Sequence, residues 1–590
     1  VEDFVATVGP SGVHAGSGGP KLEGPTIVGE PFHTTESALV ESYRSHTLEG
    51  FLQAEASASM GNYVLVDSAA GRIVTAPGYS GGYLSEAVDG AVVATTIGSL
   101  LGQLPASPSF DEPVLCHYYE RDLLHHPPYR TVFEGVERLP PAYVVEIGDG
   151  GVERRTGYAQ RVRPNAGPDD FAGVMDEVMG GLANTVDGTD RRVCILFSGG
   201  IDSLCLLVGA RKHLPPDSLR VITCDDGRLS DGPFMARRLA DALGFEIELV
   251  GSNADSWPPR RESVLDRIDE SLGRDFIKAT TANAGITGEY VGADDVLLSG
   301  MNFGAWTRGL RAGHNTPLPE GGSLVDLVRY VRSTGVPVKR LGLELTHSAP
   351  YVRHRWLRVL FLKYLALSNR EATFRFDQSN AGFLRGILDY RFPNVAYRDD
   401  ADPFSLYDTE PEVRRFLSEV RDRYDQRSLD LLFFYWFAHH GQKALSTLPG
   451  PSGAHTSVPI MWGPANAYFQ GTRRGWSHFL FPKRVYYDYV AEETGRRYND
   501  LTGLSASERR EVRHNSTRWD PFYPGEYESL LDSATSSVLR AVSENSIAAT
   551  VEEAYEEASH TLHSSEPVRN AALEKLTRVI NLERIVAANR

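Results

Sequence analysis

The segment Phe197-Ser198-Gly199-Gly200-Ile201-Asp202-Ser203 constrains this chain more than any other. It follows the apolar run Val193-Cys194-Ile195-Leu196 and precedes Leu204, Leu206 and Leu207, so small residues stand where a buried strand turns into a buried helix. Such a turn lets the backbone approach an anion closely, and the helix behind it offers free N–H groups and a partial positive charge. Ser198 and Ser203 add hydroxyl donors, and Asp202 adds a hard oxygen ligand suited to Mg²⁺. In chemical character this is a pyrophosphate-binding loop. An ordinary Gly-rich turn with Ser198 or Asp202 as N-cap is the plain structural alternative. Neither a GxxxxGK[ST] loop nor a GxGxxG fingerprint occurs in a strand-to-helix context, which disfavours the common alternative nucleotide sites.

The pattern around the loop extends in both directions. From Phe171 onward short apolar runs, 193–197, 219–222, 246–250 and 296–298, alternate with helical patterns, as in a doubly wound parallel sheet. Upstream the chain reads instead as antiparallel hairpins: Tyr63–Val66 with Arg72–Thr75, Asp89-Gly90 leading into Val92–Ala94, and Tyr143–Ile147 with Val152–Arg154. The stretch Arg163-Pro164-Asn165-Ala166-Gly167-Pro168 has the composition of a linker. We therefore expect one domain over 1–165 and a second over 166–590, the latter with a helical C-terminal part beyond about residue 345. No 20- to 50-residue repeat is present, which excludes solenoids and propellers.

Composition narrows the partners. With 590 residues the chain is long enough for about two to four cores. The formal charge of -17, from 77 acidic and 60 basic residues, disfavours nucleic acid as the main partner. The longest apolar run, Leu431–Ala438, is roughly half of what spans a bilayer, so no membrane segment is expected. The cysteines Cys116, Cys194, Cys205 and Cys224 show no paired spacing, and the N-terminal residues form no signal peptide. A reducing cytoplasm is the expected compartment. The adjacent pairs His125-His126 and His439-His440 point apart on helix or strand and are not read as metal sites.

The Ser198–Ser203 loop resembles the SGGxDS signature of the ATP-pyrophosphatase enzymes, which activate carboxylates by adenylation, and the surrounding sequence is similar to the asparagine synthetase family. The resemblance is carried further by Thr131–Pro141 with Tyr143-Val144-Val145, by Gly61–Asp67 and the segment to Tyr83, by Leu298-Ser299-Gly300, and more loosely by Asp377–Asn380 leading to Asp389-Tyr390-Arg391-Phe392-Pro393. It spans most of residues 50 to 395 and is poor in the C-terminal third. It implies an α+β N-terminal sandwich of the Ntn-hydrolase kind, four-layered αββα, followed by an α/β doubly wound synthetase domain. It also implies ATP and Mg²⁺ as cofactors. Ser198, Gly199, Gly200, Asp202, Ser203, Ser299 and Gly300 would bind nucleotide, Asp202 would hold the metal, and Lys483 and Asp389 are the candidate catalytic residues. Val458-Pro459-Ile460-Met461-Trp462 competes with Asp389–Pro393 for one family motif.

Three departures from the family shape the expected function. The first cysteine is Cys116, far from the N-terminal position a glutaminase of this family uses. After Ser299-Gly300 the chain reads Met301-Asn302-Phe303-Gly304, with Gly304 where the family has a metal-binding Asp and Met301 where β-lactam-forming relatives have a Tyr. Asp225, Asp226, Asp294 or Asp295 would substitute if the fold brought one of them close. The expectation is an AMP-forming ligase that adenylates a small-molecule or peptide carboxylate and passes it to ammonia or an amine, without its own glutaminase. A peptide or natural-product macrolactam cyclase and a non-catalytic binding or scaffold subunit are the alternatives, and a homodimer or a partner enzyme that completes the site is compatible with each.

Overall fold

In a computed structural model the chain is described over residues 5–9, 12–15, 21–22, 24–79, 82–87, 90–105, 109–111, 130–148, 151–159, 161–163, 167–225, 231–251, 291–292, 294–300, 455–457, 459–471 and 483–503. The fold is mixed α/β and contains both antiparallel and parallel sheets.

The first part is antiparallel. Strands β1 (Val5–Gly9), β2 (Gly12–Ala15) and β3 (Lys21–Leu22) join β7 (Tyr83–Ala87), β8 (Gly90–Ala94) and β9 (Val136–Arg138) in a sheet of order β3-β2-β1-β8-β7-β9. A second sheet, β11-β10-β6-β5-β4, is built from β4 (Pro25–Pro31), β5 (Gly61–Asp67), β6 (Arg72–Thr75), β10 (Tyr143–Gly148) and β11 (Gly151–Gly157). Tight turns set the register: Asp67 faces Arg72 across one hairpin and Gly148 faces Gly151 across another. The two sheets touch where β1, β7 and β8 meet β10 and β11. Helix α1 (Glu36–Ser45) packs on β4 and next to α2 (Leu48–Ala58), while α3 (Ile97–Leu101) packs on β7 and β8. Each of these helices starts on a threonine whose hydroxyl accepts a first-turn amide: Thr35 from Ala38, Thr47 from Gly50 and Thr96 from Ser99, each at 3.2 Å.

The second part is parallel. Strands β12 (Val193–Leu196), β13 (Leu219–Asp225), β14 (Glu248–Gly251), β15 (Val296–Ser299) and β16 (His455–Ser457) form a sheet of order β14-β13-β12-β15-β16 in which every neighbouring pair is parallel. The chain leaves β12 toward one edge and returns to β12's other side at β15. Strand order therefore reverses between β12 and β15, the position where open α/β sheets leave a crevice at their carboxyl ends. Helix α4 (Phe171–Val186) is capped by Asp170, which accepts the Gly173 amide at 2.6 Å. It packs on α5 (Ile201–His213), which lies on β12, β13 and β15; residues Ser203–Ala210 of α5 are buried all round, while Arg211 and Lys212 in its last turn are exposed. Helix α6 (Asp231–Leu243) covers β13. Among the described residues no helix is long and apolar enough to cross a membrane.

The antiparallel and parallel parts share one core. Trp462, fully buried, packs against Phe32 with ring centroids 5.5 Å apart and the rings tilted by 52°. It precedes α7 (Gly463–Gly471), which packs on both α2 and α4. Pro459, Ile460 and Met461, which precede Trp462, are buried in the same region. Asn466 of α7 donates from Nδ2 to the Ala56 carbonyl at 2.7 Å and the Ala159 carbonyl at 2.9 Å, tying the last turn of α2 and the segment after β11 to one side chain. Asn466→Ala leaves both buried carbonyls without that donor, and a loss of about 2 to 4 kcal/mol is expected, to be read as a lower urea midpoint of the full chain.

Candidate functional site

The small-residue loop sits at the carboxyl end of β12, beside the point where strand order reverses. Gly199 has φ +69° and lies against α6, where an added Cβ would stand 2.5 Å from Met235 Cβ and 2.7 Å from Ala236 N. Only glycine fits this bend without moving α6. At the end of β15, Gly300 passes so close to the first turn of α5 that a Cβ would lie 2.7 Å from the Ser203 amide nitrogen. The two strand ends thus converge on one helix N-terminus, with Ser299 buried beside it.

Within the loop the hydroxyls organise the backbone. The Ser198 amide donates to Ser203 Oγ at 3.3 Å, the Ser203 hydroxyl donates to the Gly200 carbonyl at 3.1 Å, and the Gly200 amide points to Ser198 Oγ at 3.4 Å. Thr223 of β13 donates to the Phe197 carbonyl at 2.8 Å. Gly200 N-caps α5 and supplies no side-chain cap, so no side chain serves the first-turn amides. Ser203 is buried, Asp202 half-buried and Ser198 exposed, so the loop opens to one side.

Lys483, 281 residues further along the chain, reaches this loop. It N-caps α8 (Arg484–Thr494), which packs on α5, and its Nζ lies 2.5 Å from Asp202 Oδ2. The other carboxylate oxygen of Asp202 is buried and makes no hydrogen bond. The seven loop and strand-end residues read from sequence, together with Lys483, therefore gather in one place. Asp389, Met301, Gly304, Cys116, both histidine pairs and the aromatic run 433–437 lie outside the described residues.

Two of the candidate substitute carboxylates are at the wrong end of the sheet. Asp294 and Asp295 precede β15, roughly 13 Å of strand away from the loop. Asp295 is engaged there by the Arg192 and Gly292 amides, at 3.1 and 2.8 Å, and by the guanidinium of Arg192 at 3.3 Å and that of Arg220 at 3.7 Å. Burial works against its charge, but the Gly292 amide and Arg192 win and hold the Asp295 carboxyl below its ordinary range. Asp225 closes β13 at the carboxyl end, the end that carries the loop. Among the described residues no group of three or more His, Cys, Asp or Glu side chains is arranged to hold a metal ion. Asp202 thus fits a metal that takes one carboxylate oxygen from the protein and the rest from phosphate and water.

Sequence reasoning missed a tyrosine at the same loop. Tyr498 opens the short helix α9 (Tyr498–Thr502), and its hydroxyl donates to the Gly199 carbonyl at 2.7 Å. No local pattern in the sequence links it to a loop about 300 residues upstream.

Comparison with known proteins returns no matching family model and no matching curated relative. The site's chemistry is consequently argued from its own geometry.

The cysteines Cys194 and Cys205 are both buried. Burial pushes the Cys194 thiol up to about 12, assisted by the neighbouring Asp295 carboxylate, and burial holds the Cys205 thiol well above its ordinary value. An unfolded Cys194 titrates near 9.0 and the folded one near 12, so across that window the unfolded chain releases a proton that the folded chain keeps. Stability is expected to fall as pH rises from about 9 toward 12, and Cys194→Ala should flatten that decline in a series of thermal midpoints.

Proposed function

We propose that this chain is an asparagine synthetase-like ligase that uses MgATP to adenylate a carboxylate and passes the acyl group to ammonia or an amine, releasing AMP and pyrophosphate. The observation that carries the reading is the meeting of Lys483 with Asp202 at the head of a small-residue loop, on the helix N-terminus where strand order reverses.

The roles follow from charge and geometry. The N–H groups of the first turn of α5, with the Ser198 hydroxyl, bind the phosphate chain as fixed donors aimed at the oxygens that gain charge as pyrophosphate departs, while the Ser203 hydroxyl holds the Gly200 carbonyl. Asp202 Oδ1, buried and unpartnered, is the protein ligand for Mg²⁺, whose chemistry is to neutralise phosphate charge. Lys483 is a point charge within reach of the same position, suited to the negative charge on the transferring phosphoryl oxygens. With Asp202 already sharing its charge with Lys483, the ammonium is held extended toward the loop before any ligand arrives. Gly300 brings the end of β15 within contact distance of the first turn of α5. The buried, protonated thiols of Cys194 and Cys205 supply no glutaminase nucleophile, so ammonia or an amine from solution or from a partner enzyme is the proposed acceptor. Their being free also accords with a reducing, cytoplasmic compartment.

ATP–pyrophosphate exchange measured with a panel of amino-acid and peptide carboxylates is expected to show label incorporation with at least one acid. Asp202→Asn and Lys483→Met should each lower it by about 100-fold or more, the scale of losing a charged group at a developing oxyanion. No exchange together with no nucleotide binding would favour the non-catalytic scaffold. Exchange with a peptide acid, followed by loss of water from that peptide, would favour the macrolactam cyclase.

A further inference from the structure

A loop that binds phosphate has to turn its carbonyl oxygens away from the ligand, because each carries a partial negative charge that repels the phosphoryl oxygens. In this loop three of them are held. Thr223 takes the Phe197 carbonyl from β13. The Gly200 carbonyl accepts the Leu204 amide at 3.0 Å and the Ser203 hydroxyl at 3.1 Å, both from α5. The third, on Gly199, is taken by Tyr498 at 2.7 Å.

The Gly199 carbonyl is the one whose orientation most needs fixing. Glycine is free to rotate about both backbone bonds, and with two glycines in succession the 199–200 peptide plane has no side chain of its own to hold it. A trans peptide points its C=O and N–H in opposite directions. Fixing the oxygen toward α9 therefore aims the Gly200 N–H the other way, into the loop, where it meets Ser198 Oγ. The tyrosine is well supported for this task. Its ring packs edge-on against Tyr487 of α8, with centroids 5.6 Å apart, and α9 is tied to α6 by Arg238, which donates to the Thr502 carbonyl at 3.2 Å. Arg496, just before α9, donates to the Ala242 carbonyl near the end of α6 at 3.0 Å. Helix α6 is also the element that blocks a Cβ at Gly199. Both sides of the bend are thus referred to one rigid support.

We propose that Tyr498 is a positioning residue for phosphate binding: its hydroxyl holds the Gly199–Gly200 peptide so that the Gly200 N–H faces a phosphoryl oxygen. The inference rests on the nucleotide reading given above and adds to it a residue that acts on the loop and not on the ligand.

Tyr498→Phe deletes the hydroxyl and keeps the ring against Tyr487. Two measurements on the full-length chain test it. The first is calorimetric titration with inorganic pyrophosphate and Mg²⁺, in which Tyr498→Phe is expected to bind about 3- to 10-fold more weakly than wild type, the scale of one neutral hydrogen bond. Its thermal midpoint should move by no more than about 2 °C, while Tyr487→Phe leaves the affinity unchanged. A purely structural role would lower the midpoint without singling out pyrophosphate. The second is hydrogen exchange of the 197–203 segment without ligand, where Tyr498→Phe is expected to exchange faster at the Gly200 amide. If wild type binds and Tyr498→Phe binds equally well, or if the exchange is unaltered, the inference is overturned and the nucleotide reading stands. If wild type binds no pyrophosphate, the nucleotide reading itself is overturned, whatever the exchange shows.

Discussion

The middle of α5, Ser203–Ala210, is buried all round, and that stretch has no stable place except the interior, while Arg211 and Lys212 carry the last turn out to the surface. Its burial against β12, β13, β15, α4 and α8 determines where its N-terminus comes to rest, at the carboxyl edge of a parallel sheet beside the reversal of strand order. The free amides of its first turn then become a feature of the molecule that must be met by something. The serine hydroxyls of the loop bond to one another, to the Ser198 and Gly200 amides and to the Gly200 carbonyl, and cap none of them. Two glycines make the crowding possible, one by taking a backbone conformation that side chains avoid and one by letting β15 run against the helix.

Charge is sorted between the two ends of the same sheet. Where the strands begin, Arg192, Arg220, Asp295 and Glu248 form a closed network, with Arg220 Nε on Glu248 Oε1 at 2.7 Å and Arg191 reaching Glu30 of the antiparallel part at 2.7 Å. Each of these ions has an opposite partner, so that end is electrostatically satisfied. Where the strands finish, Asp202 has one oxygen on Lys483 and one oxygen on nothing. An unsatisfied buried acceptor is a standing energetic deficit, and this one is placed at the loop.

Local patterns in the sequence located much of this arrangement. The apolar runs at 193–197, 219–222 and 296–298 correspond to β12, β13 and β15, and the two hairpins around Ala70-Gly71 and Asp149-Gly150 bracket observed strand pairs. The run at 246–250 is displaced, since β14 begins at Glu248, where Glu248 pairs with Ile222. The strands β1 to β4 were not legible, because glycines and prolines interrupt them and their pairing with β8 and β5 is set by distant partners. The short strand β16 has no hydrophobic signature of its own and is defined by lying against β15. Lys483 was suggested by resemblance and Tyr498 by nothing, for the same physical reason: side chains that arrive from 281 and 299 positions away leave no periodicity for a sequence to display.

The shared core between the sheets has a practical bearing on how the molecule is divided. A boundary near residue 165 looks natural on the chain, yet Trp462 belongs to one side of that boundary and Phe32, the ring it packs against, to the other. Cutting there would uncover an indole that now sees no water, together with the Asn466 amide and the Ala56 and Ala159 carbonyls it serves. The halves are therefore interdependent as folding units, and the antiparallel part serves as the missing wall of the parallel one whether or not it retains any chemistry.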